Sequence, residues 1–182
     1  MVWEHLPFSW RRLAKHLGAI VATTTSTANL DLVKCLGADI VIDYRKDDFE
    51  TILHDYDVVL NNLGGETLEK SLRVLKPGGK LVSISGPPDP DFAKDIGSSW
   101  ILRLVMRLLS YRIRKKAKRH HVSYSFLFMR ASGDQLREIA SLIDSGIIRP
   151  AVDRVFAFES TKEALAFVEK GGAKGKVIVK VR

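Results

Sequence analysis

Cysteine is almost absent from this sequence of 182 residues. Cys35 is the single cysteine, which excludes an internal disulfide and points to a reducing compartment. It stands beside Leu36 in a helical pattern, so we expect a buried and unreactive thiol. None of the five histidines stands with Cys35 or with carboxylates at metal-ligand spacing. We therefore expect no metal site.

Long apolar runs are also missing. The longest, Trp100 to Leu109, contains Arg103 and Arg107 and is too short to span a bilayer. The first ten residues, MVWEHLPFSW, have neither a basic start nor an apolar stretch, so no signal peptide is evident. Together these features predict a cytoplasmic protein.

Acidic residues are missing from one stretch of the chain. Eight basic residues and no acidic one lie from Arg103 to Arg119, whereas the remainder has 21 residues of each sign. Three interpretations of this stretch stay open. It could be a solvated helix face, a contact with an anionic membrane, because an apolar helix adjoins it, or a nucleic-acid-binding surface, which would depend on charge alone.

The feature that organises the chain is a strand–helix–strand pattern over residues 57–88. The apolar run Val58 to Leu60 precedes leucines at helical spacing over 66–75, Pro77-Gly78-Gly79 ends that helix, and a second apolar run follows. Such crossovers join parallel strands, and ligands bind beyond the carboxyl ends of those strands. We therefore expect a ligand at Asn61 to Gly64 and at Ser85-Gly86.

Strands and helices alternate along most of the chain. We predict further strands over 19–23, 39–42, 123–128, 154–158 and 176–181, and further helices over 10–17, 29–36, 47–54, 96–111, 132–145 and 161–170. This alternation predicts a doubly wound α/β sheet.

Seven stretches, in chain order, are LAKHLGA, VATTTST, LGADIVIDYRKDDF, NNLGGETLEKSLRVLKPGGKLVSI, SFLFMRASGDQL, LIDSGIIRPAVDRVF and AKGKVIVKV. Through them the chain, from about Leu13 onward, resembles the nicotinamide-binding part of the medium-chain dehydrogenase/reductase superfamily, in its zinc-free quinone oxidoreductase-like branch. The resemblance implies reduction of quinones or activated alkenes with NADPH, whose cofactor performs the hydride chemistry while the protein orients it.

The resemblance also implies where the cofactor would lie. It implies no catalytic acid or base and no metal ligand. The implied cofactor-binding residues are Ser26 and Tyr44 at the adenosine 2′-phosphate end, Asn62, Leu63 and Gly64 along the middle, Ser85 and Gly86 at the nicotinamide ribose, and Phe126, Leu127 and Phe128 at the nicotinamide.

Simpler roles for these residues stay open. Ser26 and Tyr44 could be a helix cap and a surface residue, and the glycines could belong to plain turns. Because Phe126 and Phe128 alternate with Leu127, we expect at least one of the two rings in the core.

The residues favour NADP over NAD. A strand that binds NAD usually ends in an acid that pairs with the ribose hydroxyls. The predicted strand ending at Thr23 is followed by hydroxyl side chains only. A phosphate would be tolerated there.

The chain departs from the family pattern at both ends. The residues EHLPFSWRR precede Leu13, without the family's first strand or its Gly-rich, pyrophosphate-binding turn. Near the C-terminus Gly172 stands where a phosphate-binding Arg is expected, which leaves Lys174 as the candidate.

We therefore predict a Rossmann-like, doubly wound, mainly parallel α/β sheet that lacks the usual first strand and Gly-rich loop. Residues 1–12 would be an atypical N-terminal segment, and 13–182 a truncated dinucleotide-binding domain with a basic amphipathic helical segment at 96–121. Since the first strand is central in such sheets, its loss would leave two strands without a partner. We expect instability or assembly into a homodimer or larger oligomer.

Two kinds of function remain open. One is an NADPH-dependent quinone or enone reductase, in truncated form. The other is a non-catalytic nucleotide-binding module, or a basic surface that binds nucleic acid or membrane.

Overall fold

The computed structural model describes residues 9–171, 173 and 175–181. These residues form two compact units, one comprising 19–131 and the other comprising 9–18 with the described residues from 132 onward. Each unit is described by itself below. Gly172 and Lys174 lie outside the described residues.

The first unit contains most of the alternating strands and helices. Its strands are β1 (Ala22–Thr25), β2 (Ile40–Asp43), β3 (Tyr56–Asn61), β4 (Leu75–Ser83) and β5 (Ser123–Phe126). Its helices are α2 (Leu30–Cys35), α3 (Phe49–Ile52), α4 (Gly65–Arg73), α5 (Pro90–Asp95), α6 (Trp100–Leu109) and α7 (Tyr111–Arg119). Every pair of neighbouring strands is parallel, so the predicted Rossmann-like α/β fold is confirmed.

The five strands of the first unit form two sheets instead of one. β1 pairs with β2, and separately β4 pairs with both β3 and β5. In the Rossmann order the first strand lies between the strands that correspond to β1 and β3. Within the described residues no strand joins the two sheets there, and the stretch that precedes β1 along the chain is a helix, Ser9–His16.

Side chains from both sheets and their helices build the core of the first unit. Val59 of β3 and Leu81 of β4 belong to one buried cluster with Leu72 of α4 and with Ile113 and Ala117 of α7. The apolar spacing on α4 and α7 accounts for this arrangement, because residues three and four apart share one helix face.

The glycine-rich turn that we expected to end helix α4 lies inside a strand instead. α4 ends at Arg73, and β4 runs through Pro77-Gly78-Gly79 to Ser83. The pairing shifts there, since Asp57 of β3 stands opposite residues 76–79. Gly78 has a φ of +84° and donates its N–H to the His121 carbonyl at 2.7 Å. This irregularity requires glycine because other residues rarely adopt that conformation.

The basic segment also differs from our prediction of a helix over 96–111. It forms the two helices α6 and α7, separated at Ser110, which is fully buried and donates its hydroxyl to the Met106 carbonyl at 2.7 Å. Cys35, which we expected to be buried, is exposed at the end of α2. The buried face of that helix is formed by Val33 instead.

The second unit contains α1 (Ser9–His16), α8 (Gly133–Asp144), β6 (Val152–Ala157), α9 (Thr161–Glu169) and β7 (Lys176–Lys180). β6 and β7 pair in parallel, from Val152 opposite Lys176 to Ala157 opposite Lys180. Arg154 lies over the ring of Phe167, 4.4 Å from its centroid. No helix within the described ranges is long and apolar enough to cross a bilayer.

Candidate functional site

Most of the predicted cofactor-binding residues lie at the carboxyl-terminal edge of the two sheets in the first unit. Thr25 stands opposite Asp43, and Asn61 stands opposite Ser83, which in turn stands opposite Phe126. Seven of the predicted residues follow these strand ends within two positions: Ser26, Tyr44, Asn62, Leu63, Ser85, Leu127 and Phe128. This edge is where ligands bind in open parallel sheets.

A cleft of about 620 Å³ opens beyond β2 and beside α4. It brings together two predicted residues, Tyr44 and Leu63, and its charged lining is balanced between three cations and three anions. Its full lining is Tyr44, Arg45, Lys46, Asp47, Asp48, Phe49, Leu63, Glu66, Thr67 and Lys70. The volume lies within the range of small-molecule sites.

The cations of this cleft are not equivalent. Lys70 forms an ion pair with Asp48 and lies 3.4 Å from Glu66, and its hydrogen bond to Asp48 raises the pKa of Lys70 and lowers that of Asp48. Arg45 and Lys46 form no ion pair within the described part of the chain. They are therefore the cleft's candidates for binding an anionic group.

The turn after β1 holds Ser26 beside a buried carboxylate. Thr27 donates its hydroxyl to Asp43, and the Arg45 backbone N–H donates to the same carboxylate at 3.1 Å. The Thr27 hydrogen bond is the main reason that the pKa of Asp43 is lowered. Ser26 occupies the cap position of the following 3₁₀ turn without a side-chain capping bond, and its hydroxyl accepts a hydrogen bond from the Asn29 side chain at 3.4 Å.

Asn61, at the end of β3, is a buried polar residue and the first of the stretch where we expected a ligand from sequence. It is only 5% exposed, and its Nδ2 lies 3.3 Å from the Ser71 hydroxyl of α4. Its Oδ1 has no hydrogen-bond partner among the described residues. Buried polar atoms without partners are rare in native proteins. Asn61 lines a small cavity with Thr24, Leu60 and Asn62.

Gly64 and Gly65 lie at the start of α4, and Thr67 and Ser71 of the same helix line this cavity. A Cβ at either position would meet nothing within 4 Å, so packing does not exclude a side chain there. Gly65 has a φ of +64°, which requires glycine, whereas Gly64 has an ordinary φ of −89°. The N–H groups of the first turn of α4 are oriented to receive an anion.

Gly86, in contrast, is required by contacts within the protein. A Cβ there would lie 2.5 Å from the Tyr124 hydroxyl and 2.7 Å from the Ser83 hydroxyl. The Gly86 N–H donates to Ser83 at 2.8 Å, and Tyr124 donates to the Pro87 carbonyl at 2.7 Å. Burial raises the pKa of Tyr124 to about 12. Gly86 is therefore a tightly packed turn residue, while the neighbouring Ser85 is exposed.

Asp89 fixes the predicted nicotinamide segment in place, a role that the sequence did not reveal. Its carboxylate is 3% exposed and accepts the Phe92 N–H at 2.8 Å and the Phe126 N–H at 2.9 Å. The first bond could have been predicted from Asp before Pro90, a common helix start. The second joins residues 37 positions apart and follows from the tertiary structure.

Three phenylalanine rings surround this segment. The Phe92 ring lies 5.1 Å from that of Phe126 and 6.0 Å from that of Phe128. We expected Phe126 or Phe128 in the core, but Phe126 is half-buried and Phe128 is exposed. Together with the exposed Leu127 they form an apolar surface at the carboxyl end of β5, where a ligand could contact it.

The described residues do not provide a metal centre. They contain no group of three or more His, Cys, Asp and Glu side chains that could hold a metal ion. The exposed Cys35 therefore has no such partners in the part of the chain that the structure covers.

Comparison with known proteins yields one matching family model, described as zinc-binding dehydrogenase, over residues 36–179. The chain is 33% identical to the zebrafish (Danio rerio) mitochondrial NAD(P)H oxidoreductase RTN4IP1 over 178 residues, 93% of this chain and 45% of that protein. It is 31% identical to the chloroplastic NADPH-dependent alkenal/one oxidoreductase of Arabidopsis thaliana over 92% of this chain and 36% of that protein.

A solved structure shares the fold. The quinone oxidoreductase of Coxiella burnetii matches with a TM-score of 0.73 and 26% identity, over 96% of this chain and 49% of that one. The chain thus spans about half the length, or less, of the relatives that it matches.

Proposed function

Because the chain belongs to the zinc-binding dehydrogenase family, whose matched relatives are oxidoreductases that use a nicotinamide cofactor, we propose that it is the cofactor-binding part of an NADPH-dependent quinone or enone reductase. The name of the Coxiella protein supports a quinone, and that of the Arabidopsis protein supports an enone. Whether this half of the relatives' length is active alone is part of what the experiment below decides.

The observation that carries the proposal is the common position of the predicted residues at the strand ends. Ser26, Tyr44, Asn62 and Ser85 come from four strands of the first unit, and each follows a carboxyl end. The partnerless Oδ1 of Asn61 supplies a buried acceptor in the middle of this edge. The cavity that Asn61 lines has a volume of about 10 Å³, so a single small donor at the inner side of the ligand would satisfy this acceptor.

The proposed roles follow from these positions. Ser26, Arg45 and Lys46 would bind the adenosine 2′-phosphate, and the first turn of α4 would receive the pyrophosphate. The surface of Phe126, Leu127 and Phe128 would exclude water from one face of the nicotinamide, which supplies the hydride when bound. The protein's contribution is orientation, and no residue is assigned as an acid or base.

Preference for NADP over NAD rests on the turn after β1. It carries hydroxyl side chains, and the nearby Asp43 carboxylate already accepts hydrogen bonds from Thr27 and the Arg45 N–H. Both oxygens of Asp43 are therefore already hydrogen-bonded within the protein, and the two cations beside Tyr44 suit a phosphate.

The family's description mentions zinc, but the described residues do not fit a zinc centre. Structural and catalytic zinc sites need three or four Cys, His or carboxylate ligands around one point. We therefore assign no step to a metal.

Fluorescence titration with NADPH and NADH tests the proposal. We expect Ser26→Asp to weaken NADPH binding by about tenfold or more, because it places a carboxylate beside the phosphate, while NADH binding changes little. Ser141→Asp, at an exposed serine of α8, is the matched control. Absence of NADPH binding to the unmodified protein would refute the proposal.

Addition of a quinone or an enone to the NADPH complex separates the two candidate functions. Oxidation of NADPH supports the reductase, whereas binding without oxidation supports the non-catalytic nucleotide-binding module. Assembly into a homodimer or larger oligomer also remains a proposal, supported by exposed apolar residues such as Val155 of β6, and light scattering at micromolar concentration tests it. The cytoplasmic location stays a prediction.

A further inference from the structure

Helix α6 carries an unusual amount of exposed apolar surface. Eight of its ten residues are apolar, and none of the ten is buried. Trp100 at its start is 71% exposed, and Tyr111, just after its end, is 56% exposed. Large exposed apolar patches mark interaction sites in soluble proteins.

The six most exposed apolar side chains of α6 occupy one continuous half of the helix. With about 100° between successive residues, an arc of roughly 180° contains Trp100, Ile101, Leu104, Val105, Leu108 and Leu109, all of them exposed. Arg103 and Arg107 lie next to this arc, beyond Trp100, and Met106 is half-buried on the opposite side. The helix therefore presents an apolar face with a basic edge.

Helix α7 adds a basic face to this apolar one. Ile113 and Ala117 anchor α7 in the core of the first unit, and Lys116 pairs with Glu69. The opposite face is exposed and entirely cationic apart from Tyr111, with Arg112, Arg114, Lys115, Lys118 and Arg119. Nine basic residues and no acidic one lie between Asp95 and Asp134, so the rest of the chain has a net charge of −1.

We propose that α6 and α7, residues 100–119 and here called the basic helix pair, bind the surface of an anionic membrane. Apolar side chains of α6 would enter the boundary between headgroups and acyl chains, and the cations of α7 would contact acidic headgroups. Trp100 and Tyr111 flank α6, and such aromatic residues concentrate at membrane–water interfaces. At about 15 Å long, α6 lies on the membrane and does not cross it.

Two other occupants fit the surface less well. A second copy of the chain would bring two strongly cationic segments together, which costs free energy. A nucleic acid would account for the basic face of α7 but would leave the exposed leucines of α6 unexplained, because single-stranded nucleic acids stack on aromatic rings. An anionic lipid surface matches both the charge and the apolar face.

Co-sedimentation with lipid vesicles tests the proposal on the full chain. We expect binding to vesicles of phosphatidylserine and phosphatidylcholine in equal parts, little binding to phosphatidylcholine alone, and weaker binding at raised salt. Insertion of α6 should shift the emission of Trp100 to shorter wavelength, and Trp100→Phe should remove that shift.

Matched variants separate the apolar and the basic contributions. Lys115→Gln with Lys118→Gln should lower partitioning about 25-fold, since each basic residue contributes about fivefold. Lys162→Gln with Lys170→Gln, two exposed lysines outside the pair, should leave it unchanged. Leu104→Gln with Leu108→Gln should lower it at least about tenfold. Leu136→Gln with Leu165→Gln is the control and should leave partitioning unchanged. Leu136 lies outside the basic helix pair but is as exposed as Leu108, at 66% against 67%.

Circular dichroism and the urea midpoint establish that each variant is folded. The proposal is overturned if the folded helix-pair variants bind vesicles as the unmodified protein does, or if vesicles without phosphatidylserine bind equally well. It is also overturned if vesicle binding is absent and the leucine variant instead changes a dimer into a monomer, or if only salt-sensitive RNA retention is found. NADPH titration of the same variants should be unchanged, which keeps this test separate from that of the proposed function.

Discussion

The two compact units differ in how they bury apolar side chains. The first unit has a continuous core that includes Leu72, Val59 and Leu81, and the candidate site lies at the strand ends above it. Among the described residues of the second unit, the buried hydrophobic side chains are Ala14, Ile148 and Ala164. Two alanines and one isoleucine bury little area, so among the described residues the first unit has most of the hydrophobic stabilisation. A precise binding edge requires that rigid support.

The largest effect that separates the units is expected from Leu72→Ala. Leu72 is almost fully buried on α4, and its truncation should reduce the free energy of unfolding by about 2–5 kcal/mol. Leu165→Ala on exposed α9 should change it by less than about 0.5 kcal/mol. Urea denaturation followed by circular dichroism measures both. An equal loss of unfolding free energy in the two variants would contradict the difference in burial between the units.

Two helix-capping residues, Asp89 in the first unit and Ser132 in the second, allow the stability of the two units to be compared. Asp89→Ala removes a buried carboxylate that accepts N–H groups from α5 and β5, and we expect a loss of about 2–3 kcal/mol together with weaker NADPH binding. Ser132→Ala removes the cap of α8 in the second unit and should cost about 1 kcal/mol without affecting NADPH. An unchanged NADPH affinity in Asp89→Ala would contradict its positioning role.

Glycines test how tightly the site is packed. Gly86→Ala should destabilise by about 1–3 kcal/mol, because the new Cβ would overlap the Tyr124 and Ser83 hydroxyls. Gly64→Ala, at an open position with ordinary backbone angles, should be nearly neutral in stability. Adding Tyr124→Phe to Gly86→Ala should recover part of the loss. Thermal unfolding measures the stability of all three variants. If Tyr124→Phe recovers none of the stability lost in Gly86→Ala, the overlap with the Ser83 hydroxyl accounts for the loss.

The smallest expected effect is a pH dependence at alkaline pH. The pKa of Tyr124 is raised from 10.0 to about 12, so its neutral form is favoured in the folded protein. Its contribution to stability is therefore complete below pH 10 and is lost as the pH rises through about 12. Absorbance titration of the phenols should show a transition near pH 12 that is absent in Tyr124→Phe and retained in Tyr111→Phe, whose side chain is exposed.

Sequence patterns predicted the elements of the first unit better than their contacts. Apolar runs located the five strands, and the residues that follow them, such as Ser26 and Tyr44, lie at the edge where a ligand was expected. Periodicity could not show that β4 continues through Pro77 and Gly79, because proline and glycine more often interrupt a strand. The prediction that Cys35 is buried was also wrong, because the six-residue helix α2 buries only the narrow face that contains Val33.

By itself, the sequence determined the parallel α/β class and the carboxyl ends of the strands to within two residues, because hydrophobic period and turn residues are local properties. It also determined that the positive charge is concentrated around residues 103–119. Only the tertiary structure decided that Asp89 binds β5, that Gly86 packs against Tyr124, and that α6 exposes its leucines. These features depend on contacts between residues distant in the chain, which periodicity along one segment does not encode.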